Sequence, residues 1–119
     1  MSDFNEVYIQ LRSIILPYGQ EMDCTADGEE GISIDTRHIQ ANQRPLYFGG
    51  VQIKKNYVSY HLMPVYINPA LLENISPALK KRMQGKSCFN FKTTDEALLR
   101  ELAALTEACF QYYRQQGYV

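Results

Sequence analysis

The chain has 119 residues, 45% of them hydrophobic and 21% charged, the proportions of an ordinary globular protein, which excludes a disordered or low-complexity chain. Twelve Lys and Arg against thirteen Asp and Glu leave a formal charge of −1, so no global field gathers nucleic acid. One core can hold a chain of this size, and a single domain over residues 1–119 is expected.

The N-terminus carries Asp3 and Glu6 where a signal peptide would be basic, and Ile14-Ile15-Leu16 is far shorter than the ~20 residues of a membrane span. Cys24, Cys88 and Cys109 are odd in number and widely spaced, which fits neither a disulfide framework nor a zinc knuckle. The expectation is a cytoplasmic protein with free thiols and no membrane partner.

Phe4, Val7, Tyr8, Leu11, Ile14, Ile15 and Tyr18 form the stripe of an amphipathic first helix, opened by a capping box of Asp3 with Glu6 and stopped by Pro17 and Gly19. Met22, Cys24 and Ala26, then Ile32 and Ile34, alternate with polar residues around the turn DGEEG and predict a β-hairpin. Thr36 to Arg44 shows no period and is expected to be loop. Leu46 to Ile53 predicts a strand, in which Gly49-Gly50 marks a bend or a close neighbour. After a turn at Lys54-Lys55-Asn56, Tyr57 to Met63 predicts another strand closed by Pro64. Val58, Tyr60 and Leu62 share one of its faces; Tyr57, Ser59, His61 and Met63 share the other.

Asn68-Pro69 and Ser76-Pro77 each put a capping residue before a proline, predicting short helices over Pro69–Asn74 and Pro77–Gln84, with Gly85 ending the second. Lys86 to Phe91 predicts a last strand. Thr93 with Glu96 is expected to cap a final helix whose stripe is Leu98, Leu102, Leu105, Cys109, Tyr112 and Tyr113, ended by Gly117. The fold class is α+β: a mainly antiparallel sheet of about five strands with long N- and C-terminal helices packed on one face.

Three constellations are candidates for function. Glu21 to Asp35 holds six acids and no base, and its exposed oxygens at Asp23, Asp27, Glu29, Glu30 and Asp35 suit loose binding of a hard cation. Lys80 to Lys92 holds five bases and no acid; Lys80, Lys81, Arg82 and Lys86 near Ser76 are candidates for holding a phosphate or carboxylate, although the first three also complement a helix C-terminus. The row Tyr57, Ser59 and His61 could orient a small ligand if its face is open. Gly85-Lys86-Ser87 lacks the upstream glycine and the strand-then-helix context of a phosphate-binding loop. Cys88, two residues after Lys86 and followed by Phe89 and Phe91, reads either as a small buried hydrophobe or as a thiol activated by nearby cations.

The runs KKNYVSYHLMPVY (54–66) and LKKRMQGKSCFNFK (79–92) resemble the small bacterial YdhG-like family, a domain of unknown function. The resemblance extends over about Leu46 to Tyr112, is carried at Lys55, Tyr57, Ser59, His61, Gly85, Lys86, Ser87 and Phe89, and departs over Glu21 to Asp35. It implies a frataxin-like α+β fold, no established enzymatic activity and, by analogy with one proposed relative, an iron carrier.

The first functional reading is therefore a non-enzymatic binding module. Its groove for a small anionic ligand or a protein partner would be bordered by Lys55, Tyr57, Ser59, His61, Lys80, Lys81, Arg82 and Lys86. It requires no cofactor, and a homodimer is compatible with it. The second is a frataxin-like iron carrier using weakly bound iron at the acidic hairpin. The third is an enzyme using His61 or Cys88.

Overall fold

The computed structural model describes residues 4–119, so the Asp3 half of the expected first capping box lies outside it. The first helix, α1, runs Phe4–Ile15 and passes into a 3-10 helix at Leu16–Gln20, where Pro17 stands in the first turn. Six strands follow in one antiparallel sheet: β1 (Asp23–Asp27), β2 (Gly31–Ile39), β3 (Pro45–Ile53), β4 (Val58–Leu62), β5 (Met83–Gln84) and β6 (Cys88–Phe91), in the spatial order β1-β2-β3-β4-β6-β5. Between β4 and β5 lie the short helices α2 (Met63–Ile67) and α3 (Pro77–Lys80), separated by a 3-10 turn at Pro69–Leu72. The chain closes with α4 (Glu96–Gln115). Among the described residues no helix is long and apolar enough to cross a membrane.

Alternation in the strands sends one face into a single core. Ile32, Ile34, Phe48, Val51, Val58, Tyr60, Leu62, Phe89 and Phe91 are buried there with Val7, Tyr8, Leu11 and Ile15 of α1 and Leu98, Leu102, Leu105, Cys109, Phe110 and Tyr113 of α4. Phe48 packs edge-on against Phe110 and Tyr113, and Tyr113 donates to the backbone carbonyl of Tyr47 at 2.8 Å. Inside the core, Thr106 donates to the carbonyl of Leu102 (2.8 Å), so its oxygen is left to accept the Tyr60 hydroxyl at 2.7 Å. Such a pairing meets the hydrogen-bonding needs of two fully buried polar groups. Both long helices thus cover the same side of the sheet.

Several local expectations are corrected. The sheet has six strands, because α3 stops at Lys80 and residues 83–84 pair with β6. Strand β2 runs on through Ile39 into the segment expected to be loop; Thr36 is fully buried and donates to the Leu46 carbonyl at 2.8 Å, satisfying a hydroxyl that would otherwise be stranded in the core. Every residue of β1 is exposed, and Met22, just before it, is the buried one, because β1 is an edge strand paired with β2 alone. Tyr57 and Met63 fall outside β4, Met63 opening α2 with Pro64 in its first turn. Asn68 makes no side-chain cap, whereas Ser76 accepts from the Leu79 amide. The cap of α4 is Asp95, whose carboxylate accepts from the amides of Ala97 and Leu98, and not Thr93. Its buried stripe includes Thr106 and Phe110, with Tyr112 only half-buried.

Candidate functional site

The five residues of β4 alternate strictly: Val58, Tyr60 and Leu62 are wholly buried under the helices, and Ser59 and His61 stand half-buried on the opposite face. Register then decides what meets His61. Gly50 on β3 and Cys88 on β6 are its partners on either side, so the three form one row across the sheet. The next row places Gln52, Ser59 and Asn90 together. Gly50 leaves a gap that no other residue would: a Cβ there would lie 2.6 Å from the Tyr47 hydroxyl. Tyr47 leans over that gap, its ring 5.5 Å from the imidazole of His61.

The result is a cleft of about 270 Å³ lined by Tyr47, Gly50, Gln52, Lys54, Ser59, His61 and Cys88. Both imidazole nitrogens are engaged, Nδ1 with Cys88 Sγ at 2.6 Å and Nε2 with Ser87 Oγ at 3.0 Å. A neutral imidazole donates through one nitrogen and accepts through the other, so a thiol proton directed at Nδ1 places the ring proton on Nε2, donated to Ser87. Burial holds the His61 pKa below its ordinary value of 6.5. Burial also pushes Tyr47 up to about 12, an effect to which the charges of Asp35 and Cys88 add and which a hydrogen bond with Ser33 opposes. Asp35, paired with Tyr47 in the register, has its carboxyl raised by burial and by Asp23. Near neutral pH the His61 imidazole and the Tyr47 phenol are therefore both uncharged, and Lys54 stands at the border of the cleft. Beside it, Asn90 Oδ1 is buried with no hydrogen-bond partner among the described residues, at the edge of the row.

The structure separates residues that the sequence reading grouped. Ser59 and His61 line the cleft; Tyr57 and Lys55 do not, and Lys54 stands in their place. Lys80, Lys81 and Arg82 are exposed around the end of α3, on the outer edge of the sheet next to β5. Lys86 lines a different cleft, of about 560 Å³, with Val65, Tyr66, Leu72 and Met83, its Nζ 6.0 Å from the centre of the Tyr66 ring. The shared groove of His61 with the basic segment does not form, because Lys86 reaches toward α2 while Ser87, one residue on, turns to His61.

The acidic residues do not converge either. Asp23 pairs with Arg37 at 3.1 Å, and Asp27 pairs with Arg12 in two bonds, Nε to Oδ1 at 2.8 Å and a second from the other guanidinium nitrogen to Oδ2. Glu29 and Glu30 are exposed in the β1–β2 turn and Asp35 is on the open sheet face. Among the described residues no three His, Cys, Asp or Glu side chains come together as a metal-binding group.

Tyr47, Gly50, Gln52 and Lys54 were not recognised as site residues in the sequence. Gly50 and Gln52 share a face of β3 by alternation, Tyr47 joins them only through the register shift between Tyr47 and Gly49, and Lys54 follows the strand, so the grouping is legible only once β3 is known to lie next to β4 with Gly50 opposite His61. Compared with protein-family models, curated proteins and solved structures, the chain matches none.

Proposed function

We propose that this chain is a small cytoplasmic binding module, YdhG-like with a frataxin-like arrangement, that holds a small anionic ligand in the cleft on its open sheet face. What supports the frataxin-like reading is the order of elements, a helix first, a helix last and one antiparallel sheet between them. The observation that carries the ligand reading is the convergence of Tyr47, Gln52, Ser59 and His61 on one cleft with a single cation, Lys54, among its lining residues. Hydroxyl and amide donors can share the oxygens of a carboxylate or phosphate, and hydrogen bonds to a charged group contribute roughly 1.5–3 kcal/mol each. The volume equals that of about nine waters at ~30 Å³ each, the size of a small metabolite.

The test is an amide and imidazole NMR titration with inorganic phosphate and, separately, acetate. Shifts should concentrate at Lys54, Ser59 and His61, and Lys54→Gln should weaken binding about tenfold, the equivalent of ~1.4 kcal/mol. Shifts confined to Lys80, Lys81, Arg82 and Lys86, or none at about 10 mM, well above the millimolar scale of weak anion sites, would refute it.

A further inference from the structure

The thiol of Cys88, the imidazole of His61 and the hydroxyl of Ser87 form a continuous chain across two paired strands. Each member is fixed by the ladder. His61 sits between β3 and β6, and the Ser87 carbonyl accepts the Leu62 amide at 2.9 Å, which clamps Ser87 at the start of β6. Ser87 is only 8% exposed, and Cys88 opens on the cleft, in contrast to Cys109, which is enclosed in the core. A nucleophile, a base within hydrogen-bond reach of it and a third group that orients the base are the parts that covalent catalysis requires. Here the nucleophile and the base stand on paired strands, which hold geometry better than loops do, and Ser87 ends the turn just before β6.

We propose that Cys88 is a nucleophile that accepts an acyl group from a small thioester or activated ester, with His61 as its base and Ser87 as the residue positioning the imidazole. The proposal rests on the cleft being the ligand site described above. In the first step the Sγ proton passes to Nδ1 while a sulfur lone pair forms the Sγ–C bond and the carbonyl pair moves to oxygen. In the second step the carbonyl re-forms and the bond to the leaving sulfur or oxygen breaks. The leaving group takes the proton back from Nδ1–H, leaving S-acyl Cys88 and a free thiol or alcohol. No oxidant or reductant is involved. Acyl transfer is the chemistry favoured because the imidazole can both remove and return the proton, which a leaving group needs. Tyr47, Gln52 and Ser59 are the polar side chains of the cleft that surround the acyl oxygen, and Lys54 is placed to meet an anionic acyl substituent.

The groups facing His61 fit this role. Burial depresses its pKa, so the ring is the free base near neutrality. From β3 and its end it faces Tyr47, un-ionised because burial pushes it up to about 12, and Lys54; from β6 it faces Cys88 and Ser87; from β4, Ser59 shares its face. Asp35 of β2 stands beyond Tyr47.

The experiment is site-resolved mass spectrometry of the whole chain with two probes, iodoacetamide and p-nitrophenyl acetate, across about pH 5 to pH 9. Cys88 should be alkylated about tenfold faster than the exposed Cys24 at neutral pH, with Cys109 last. The advantage of Cys88 over Cys24 should follow the ionisation of the His61 imidazole, whose pKa is held below 6.5, and disappear once that ring is protonated. His61→Asn should remove the advantage entirely, and Ser87→Ala should shift that pH dependence and slow Cys88 several-fold without touching Cys24. If either variant fails to fold, the wild-type pH profile alone decides: a Cys88 rate that is slower than that of Cys24 throughout, or that rises only with a thiol-type inflection, overturns the proposal. With p-nitrophenyl acetate, one acetyl group should appear on Cys88 with a matching burst of p-nitrophenolate. Rapid alkylation without acetylation overturns the acyl assignment. Iodoacetamide is uncharged, so loss of the phosphate-dependent NMR shifts alongside rapid Cys88 labelling refutes the anion reading and leaves the activated thiol standing.

Discussion

Gly50 joins the fold to the cleft, and Gly50→Ala tests both. A Cβ at this position would lie 2.4 Å from the Ile32 carbonyl oxygen, 2.6 Å from the Tyr47 hydroxyl and 3.3 Å from Ser33 Cα. The first two are closer than a methyl carbon can sit, and the first is backbone. The side chain of Tyr47 can swing away at little cost, but the Ile32 carbonyl cannot withdraw without β2 separating from β3. Overpacking of this kind costs about 1–3 kcal/mol, against which the reduced freedom of the unfolded chain returns about 0.4–1 kcal/mol. With a backbone oxygen at 2.4 Å the cost falls at the upper end, about 3 kcal/mol, and the net loss is about 2 kcal/mol. An unfolding entropy of about 2.1 cal/mol/K per residue gives about 0.25 kcal/mol/K for 119 residues, so Tm should fall by about 8 °C.

Thermal unfolding followed by circular dichroism measures that fall, and the His61 ring resonances should move with it, since Tyr47 can no longer lie over the gap. The double variant Tyr47→Phe/Gly50→Ala separates the two contacts. It removes the hydroxyl and leaves the backbone clash, so less than half of the lost stability should return. A Gly50→Ala protein within about 2 °C of the wild type, equivalent to ~0.5 kcal/mol, would refute the packing argument.

Two further outcomes follow from other parts of the structure. The folded His61 pKa lies below its unfolded value of 6.5, so the unfolded chain takes up a proton first as the pH drops; stability is held above 6.5 and lost as the pH falls toward the depressed folded value. Urea midpoints measured at a series of pH values should show this slope, and His61→Gln should flatten it; an unchanged slope would assign it to other groups. Asp95→Ala should destabilise the protein by about 1 kcal/mol through loss of the α4 cap, while Thr93→Ala should leave the urea midpoint in place. Equal effects of the two substitutions would contradict the observed cap.

Whatever depends on neighbours in sequence was readable before any coordinates. The spacing of Val7, Tyr8, Leu11 and Ile15, and of Leu98, Leu102, Leu105 and Cys109, placed both long helices, because period and burial are local properties of a helix. The alternation of Val58, Tyr60 and Leu62 likewise put His61 on the opposite face from those three. Where a single local rule had two solutions, the wrong one could be taken. Thr93 and Asp95 both stand at the threshold of α4, and only the backbone of Asp95, extended at φ −143° and ψ 110°, turns its carboxylate onto the first free amides. Thr36 looked like the start of a loop because a polar residue in a strand is a poor hydrophobic signal, yet its buried hydroxyl has the Leu46 carbonyl to bind.

What the sequence concealed is the chemistry at the end of the row. His61 and Cys88 are 27 residues apart, with α2, α3 and β5 between them, and nothing local says that β6 pairs with β4 in place of β5. The separation matters for how the pair should be understood. A cation-rich stretch around Cys88 suggested activation by Lys86 through proximity in the chain, but Lys86 lies over Tyr66, and the group within reach of the thiol is an imidazole supplied from across the sheet. A one-residue slip of β6 against β4 would turn Cys88 into the core and bring Phe89 to the open face. The burial of Phe89 and Phe91 in the core therefore fixes the register, and that register sets the thiol beside its base: the apolar residues of β6 position the reactive ones.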